Sequence, residues 1–120
     1  MKKKILVIDD DESMRYLLVD ALELFGYSVS TATDGRHALD LLGEADFDLA
    51  ICDLKMPRMN GREFLIEAKG QTPALPVMII TGYGTARAEK ELRELGAAEY
   101  LSKPFTIMQI KTTVEKILSD

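Results

Sequence analysis

Asp48-Leu49-Ala50-Ile51-Cys52-Asp53-Leu54-Lys55-Met56-Pro57-Arg58-Met59-Asn60-Gly61 is the stretch whose reading decides the fold. Leu49, Ala50, Ile51 and Cys52 form a short apolar run with β-branched character, which reads as a buried strand. The run stops at Asp53, and Pro57 with Asn60-Gly61 marks the next segment as a loop. Open α/β sheets place their chemistry outside the carboxyl ends of the strands. Asp53 stands at such a place and is the candidate reactive group.

Similar units lie on both sides. Residues 4–8 (KILVI) are continuously apolar, as expected of a strand covered on both faces, and run into Asp9-Asp10-Asp11-Glu12. A helix then starts at Glu12 or Ser13, with Met14, Leu17, Leu18, Ala21, Leu22 and Phe25 at helical spacing and Gly26 as its stop. Residues 27–32 (YSVSTA) predict a more polar strand nearer the sheet edge, and Asp34-Gly35 turns into a short helix with Ala38, Leu41 and Leu42 inward. After the central loop, residues 62–69 predict a helix ended by Gly70, with Phe64, Leu65 and Ala68 inward. Residues 76–80 (PVMII) predict a fourth strand ending in Thr81-Gly82, and residues 85–95 a charged helix stopped by Gly96. Residues 99–102 predict a fifth strand running into Lys103-Pro104, then a last helix with Thr106 as N-cap and Ile107, Ile110, Val114, Ile117 and Leu118 inward. Strand and helix alternate five times. The expected fold class is therefore α/β, a doubly wound (βα)₅ parallel sheet of order 2-1-3-4-5.

Composition narrows the function. A chain of 120 residues fits a single domain spanning 1–120, and 47% apolar with 29% charged residues is ordinary for a globular protein. A net charge of −5 leaves no basic footprint for nucleic acid or an anionic membrane. No apolar run approaches the roughly 20 residues of a membrane helix, and Lys2-Lys3-Lys4 leads into a strand rather than a signal peptide. The single cysteine, Cys52, allows no internal disulfide, which fits a cytoplasmic setting.

In a parallel sheet all strand carboxyl ends share one edge. Asp9 and Asp10, Asp53, Thr81 and Lys103 should therefore meet there. Carboxylates gathered in one crevice repel each other unless a cation compensates. Oxygen donors without a His or Cys cluster point to Mg²⁺ rather than Zn²⁺. A hard cation, an ammonium and a hydroxyl suit a phosphoryl group, with a carboxylate as nucleophile forming an acyl phosphate.

This set of residues closely resembles the receiver domain of two-component response regulators. The likeness rests on Asp9-Asp10, Asp53 with its Met56-Pro57-x-Met59-Asn60-Gly61 loop, Thr81-Gly82 and Lys103-Pro104-Phe105, and spans residues 3–118. It implies the flavodoxin-like receiver fold and Mg²⁺-dependent phosphorylation of Asp53 by a sensor histidine kinase or histidine phosphotransfer protein. It also implies Mg²⁺ ligation by Asp10, Asp53 and the Lys55 backbone carbonyl, with Asp9 helping through a water, and phosphoryl contacts from Thr81 and Lys103. Tyr100 takes the place of the switch aromatic, turning inward as Thr81 moves. The Lys103-Pro104 bond is expected to be cis. The fourth helix, fifth strand and fifth helix become the face that controls a downstream effector domain or protein, with homodimerisation on phosphorylation left open. Lys55 and Tyr83 stand at the positions that tune hydrolysis; both are bulky, so slow autodephosphorylation and a phosphorelay role are expected. Such a chain is a phosphorylated signalling switch rather than an enzyme with a released product.

The rival is an aspartate-nucleophile phosphatase of the haloacid-dehalogenase type, with Asp9 as nucleophile and Asp53 as an auxiliary ligand. It leaves the Met56–Gly61 loop unused and needs a longer chain. Plainer readings cover the remaining residues. Asp11 and Glu12 suit a helix N-terminus, with Asp11 also able to add negative potential near the metal, Cys52 is core filler and His37 is a surface residue. Gly82-Tyr83-Gly84 lacks the context of a dinucleotide loop. The run from Arg87 to Glu94 is a solvated face or a partner surface.

Overall fold

The computed structural model describes residues 2–82 and 84–119. Five strands alternate with five helices: β1 (Lys4–Ile8), α1 (Glu12–Leu24), β2 (Ser28–Ala32), α2 (Gly35–Glu44), β3 (Leu49–Asp53), α3 (Gly61–Gln71), β4 (Val77–Thr81), α4 (Ala86–Glu94), β5 (Glu99–Ser102) and α5 (Ile107–Leu118). All pairings are parallel, and the sheet order is β2-β1-β3-β4-β5, as expected from the alternation. The two continuously apolar segments flanking the switch of direction, β1 and β3, occupy the interior of the sheet, where helices cover both faces. The more polar β2 is an edge strand.

Alternation along the strands sorts the core into two layers. Leu6, Ile8, Ala50, Cys52, Val77 and Ile79 pack with Leu39, Phe64, Leu65 and Leu92, so α2, α3 and α4 cover one face. Ile5, Val7, Leu49, Ile51, Met78 and Ile80 pack with Leu18, Leu22, Ile110 and Val114, so α1 and α5 cover the other.

Each helix starts on a side-chain cap: Asp11, Asp34, Asn60, Thr85 and Thr106 in chain order. These side-chain oxygens take up backbone N–H groups that have no partner within the helix. Asn60 with Glu63, and Thr106 with Gln109, form reciprocal capping boxes. Gly26 and Gly96 stop α1 and α4 at φ 97° and 110°.

Two expected core positions are corrected. Leu17 is exposed, because the buried stripe of α1 is centred on Leu18, Ala21 and Leu22 and leaves position 17 at its edge. Ile107 is also exposed, at the first residue of α5, where the helix has only begun to meet the sheet. No helix among the described residues is long and apolar enough to cross a membrane.

Candidate functional site

Register brings the predicted residues to one edge. Ile8 pairs with Cys52, so Asp9 and Asp53 follow side by side; Asp53 pairs with Ile80, and Thr81 with Ser102, which places Thr81 and Lys103 next along the same edge. The result is an open cleft of about 800 Å³ lined by Asp10, Asp11, Asp53, Lys55, Met56, Pro57, Gly82 and Lys103.

Carboxylate oxygens of Asp9, Asp10 and Asp53 lie within 4.8 Å of one another. Asp9 is buried. Its Oδ1 accepts the Asp11 N–H at 2.9 Å, while Oδ2 is buried with no hydrogen-bond partner. The Lys103 ammonium stands 3.6 Å from Asp53 Oδ1 and 3.9 Å from Asp9 Oδ2, ion-pair distances too long for good hydrogen bonds. Burial pushes the Asp9 carboxyl up to about 6, helped by Asp53 and Asp10 and opposed by the Asp11 N–H and Lys103. Asp53 is also raised, first by burial and then by Asp10, against the pull of Lys103 and of the Lys55 and Leu54 N–H groups. The Lys103 ammonium alone does not balance three clustered carboxylates. A hard divalent cation would take up the orphaned Asp9 oxygen and relieve the repulsion, so the donor set fits Mg²⁺.

Backbone packing holds these groups in place. The Arg15 guanidinium donates to the Asp9 carbonyl at 2.8 Å, and the Lys103 N–H donates to the Thr81 carbonyl at 2.8 Å. The Lys103-Pro104 bond is cis, as the resemblance implied. Gly61 N–H donates to the Leu54 carbonyl at 2.8 Å. A Cβ at Gly61 would lie 2.5 Å from the Asp53 carbonyl oxygen and 2.8 Å from Leu54 Cα, so the loop closes against the end of β3 only with glycine there.

Thr81 is fully buried. Tyr100 is turned inward on β5, with its hydroxyl buried against Gly84 and without a hydrogen-bond partner among the described residues. Lys55 is exposed beside the cleft, whereas Tyr83 lies outside the described residues. Asp11 caps α1 through Ser13 and Met14 N–H groups, the helix-terminal role read from its position. His37 is exposed, and Cys52 is buried with its thiol pushed well up by burial. Three contributors went unrecognised in the sequence: Arg15, and the pair Asp34–Arg58 bridging two loops at 2.8 Å. For Arg15, the available signal was a cation one turn into the helix that follows the acidic run.

The model of the response regulator receiver domain family matches residues 5–115. The chain belongs to that family. It is 41% identical over 115 residues to the transcriptional regulatory protein ZraR of Escherichia coli K12, covering 96% of this chain but 26% of that protein. It is also 37% identical to sporulation initiation phosphotransferase F of Bacillus subtilis 168, covering 98% of this chain and 95% of that one. This receiver thus spans about a quarter of ZraR and nearly all of the sporulation protein. Among solved structures, the chemotaxis protein CheY4 of Vibrio cholerae superposes with a TM-score of 0.93 at 33% identity, over 98% of this chain and 100% of that one.

Proposed function

We propose that this receiver is a phosphorylated switch in which Asp53 accepts a phosphoryl group from a phosphohistidine on a sensor histidine kinase or histidine phosphotransfer protein. The observation that carries the reading is the edge cluster of Asp9, Asp10 and Asp53, with one oxygen of Asp9 buried and unsatisfied, faced by Lys103 and flanked by Thr81. In this reading Asp10, Asp53 and the Lys55 carbonyl would hold Mg²⁺, with Asp9 helping through a water. The bound cation supplies charge neutralisation for the phosphoryl oxygens.

The chain's own groups do the rest. An Asp53 carboxylate oxygen attacks phosphorus, the phosphorus–nitrogen bond breaks, and the imidazole leaves with the electron pair and takes a proton. Lys103 and Thr81 hold phosphoryl oxygens, and Tyr100 couples that movement to the face formed by α4, β5 and α5. That face then acts on an effector domain or protein, or on a second copy of the chain. Residues 1–120 act as a single receiver unit, in the cytoplasm, without contacting nucleic acid or membrane directly. Lys55 and Tyr83, both bulky, stand at the chain positions that tune hydrolysis, so hydrolysis is slow and the receiver is suited to a relay. The receiver turns over only its own acyl phosphate.

Intact-mass measurement after incubation with acetyl phosphate, with and without Mg²⁺, tests the reading, with peptide mapping to locate the label. One Mg²⁺-dependent phosphoryl group on Asp53, absent from Asp53→Asn, is the expected result. Stoichiometric labelling of Asp53→Asn would refute the assignment, and label on Asp9 with continuous phosphate release would favour a phosphatase. The decay of the label in Tyr83→Ala and Lys55→Ala, expected to be faster than in the unaltered chain, tests the relay assignment.

A further inference from the structure

The loop between β3 and α3 carries the Lys55 carbonyl and lines the cleft with Lys55, Met56 and Pro57. Its middle is bent sharply. Arg58 adopts φ 63°, a left-handed conformation uncommon for any residue but glycine, and Met59 N–H donates back to the Pro57 carbonyl at 2.6 Å. Conformations of this kind persist only where surrounding structure enforces them.

The enforcement comes from the start of α2. Arg58 Nη2 and Nε lie 2.8 and 3.0 Å from Asp34 Oδ2. The other oxygen, Oδ1, accepts the His37 N–H at 2.9 Å and so caps α2. The two ends of the pair differ in exposure: the Arg58 side chain is 74% exposed and the Asp34 side chain 6%. The His37 N–H and Arg58 hold the Asp34 carboxyl below its ordinary range, so the buried partner stays charged. The adjacent contact is steric. Met59 is buried against Gly35, where an added Cβ would come within 2.9 Å of Met59 Cγ and 3.0 Å of its carbonyl oxygen. The bent loop is thereby seated on α2 by an ion pair and a side-chain contact at consecutive residues.

We propose that the Asp34–Arg58 pair is a positioning latch for the β3–α3 loop, setting the Lys55 carbonyl and through it the divalent-cation affinity of the Asp53 cleft. The latch rests on the reading of that cleft given above. Asp34 and Arg58 touch neither cation nor phosphoryl group; they act through the backbone at positions 55–57. Severing the pair frees the bend to relax toward ordinary φ values, and the Lys55 carbonyl would then be held less firmly where a cation could take it.

Three variants separate this role from plain stability. Asp34→Asn keeps an oxygen for the His37 N–H, and Asn caps helices as well as Asp, so α2 retains its start while Arg58 loses its counter-charge. Arg58→Ala removes the guanidinium, and the double variant closes a cycle. Isothermal titration with Mg²⁺ alone, on the full chain, gives the affinity without reference to phosphorylation. Each single variant should weaken Mg²⁺ by roughly tenfold, the low end of what losing an outer support of a metal ligand costs. The double variant should be no weaker than either single one, the signature of two residues acting as one device. Melting in chelator should meanwhile change little for Asp34→Asn.

Variants that melt earlier in chelator yet bind Mg²⁺ as tightly as the unaltered chain would overturn the latch alone. Additive losses in the double variant would overturn it as well. An unaltered chain that neither binds Mg²⁺ nor labels Asp53 would overturn the reading of the cleft, and the latch with it.

Discussion

Asp9 is buried at 1% exposure beside two other carboxylates, and ionising it there works against folding. Its carboxyl titrates near 6 in the fold, against 3.8 for an unperturbed aspartate. Below pH 3.8 the group is protonated in both states and contributes nothing. Between that value and about 6 the folded chain binds more protons than the unfolded one, so stability falls as pH rises through this window. The full penalty, reached above it, is of order 3 kcal/mol. Asp34 and Glu99 run the other way, with folded values lowered by the His37 N–H and Arg58 and by Lys116 and Arg93 respectively. Their contribution is present above the unfolded carboxylate values and lost on acidification, so the decline due to Asp9 is clearest between pH 5 and 7 by rough reckoning. Asp9→Asn keeps an acceptor for the Asp11 N–H but carries no charge. In chelator at neutral pH it should melt roughly ten degrees above the unaltered chain, and the decline with pH should shrink to what the raised Asp53 carboxyl leaves. Its Mg²⁺ affinity should fall at the same time. Equal melting temperatures across pH 5–7 for both chains would show that the carboxylate cluster stores no such penalty.

At the scale of single elements, α3 hangs directly from the loop that Asp53 opens. Its first turn depends on Asn60, whose side chain accepts the Glu63 N–H at 2.9 Å while Glu63 accepts the Asn60 N–H at 3.0 Å. Asn60→Ala removes one half of the box and should cost about 1 kcal/mol in urea unfolding, with an unchanged slope. An unchanged midpoint would mean that packing of Phe64 and Leu65 alone sets this helix. Helix ends also show what sequence reading can reach. Gly26, Gly70 and Gly96 look alike as stop signals, yet Gly70 lies inside α3, which continues to Gln71. The difference is the residue that follows. Tyr27 and Ala97 fold back so that their N–H groups reach the carbonyls of Leu22 and Leu92, and both pack inward. Gln71 is exposed and offers no apolar group to pull the chain back, so the helix runs on to Thr72. The strand ends were legible for a different reason: a parallel sheet converts five separate sequence positions into one edge. The Asp34–Arg58 pair has no such signal, because it depends on how α2 sits beside α3.

Across the whole molecule, the proposed signal must travel from Asp53 to the face of α4, β5 and α5. Thr81 and Tyr100 lie on that route, and Gly84 is the point where it narrows. A Cβ at Gly84 would strike the Tyr100 hydroxyl, and would come within 2.9 Å of Tyr100 Cζ and 3.2 Å of Thr81 Cγ2. The inward position of Tyr100 therefore requires glycine at this place in the chain. That position carries a cost of its own, since the buried hydroxyl lacks a hydrogen-bond partner among the described residues. A buried hydroxyl without a partner among the described residues lowers the cost of turning the ring outward, which favours a population shift of the kind proposed. Gly84→Ala should hold the ring outward. Beryllofluoride, standing in for the phosphoryl group on Asp53, should still bind in the presence of Mg²⁺, because Asp9, Asp10, Asp53 and Lys103 are untouched. Amide resonances of the Asp53 cleft should then shift as in the unaltered chain, while those of α4, β5 and α5 should shift far less. Equal shifts on that face in both chains would remove Tyr100 from the route and leave Thr81 to act on α4 without it.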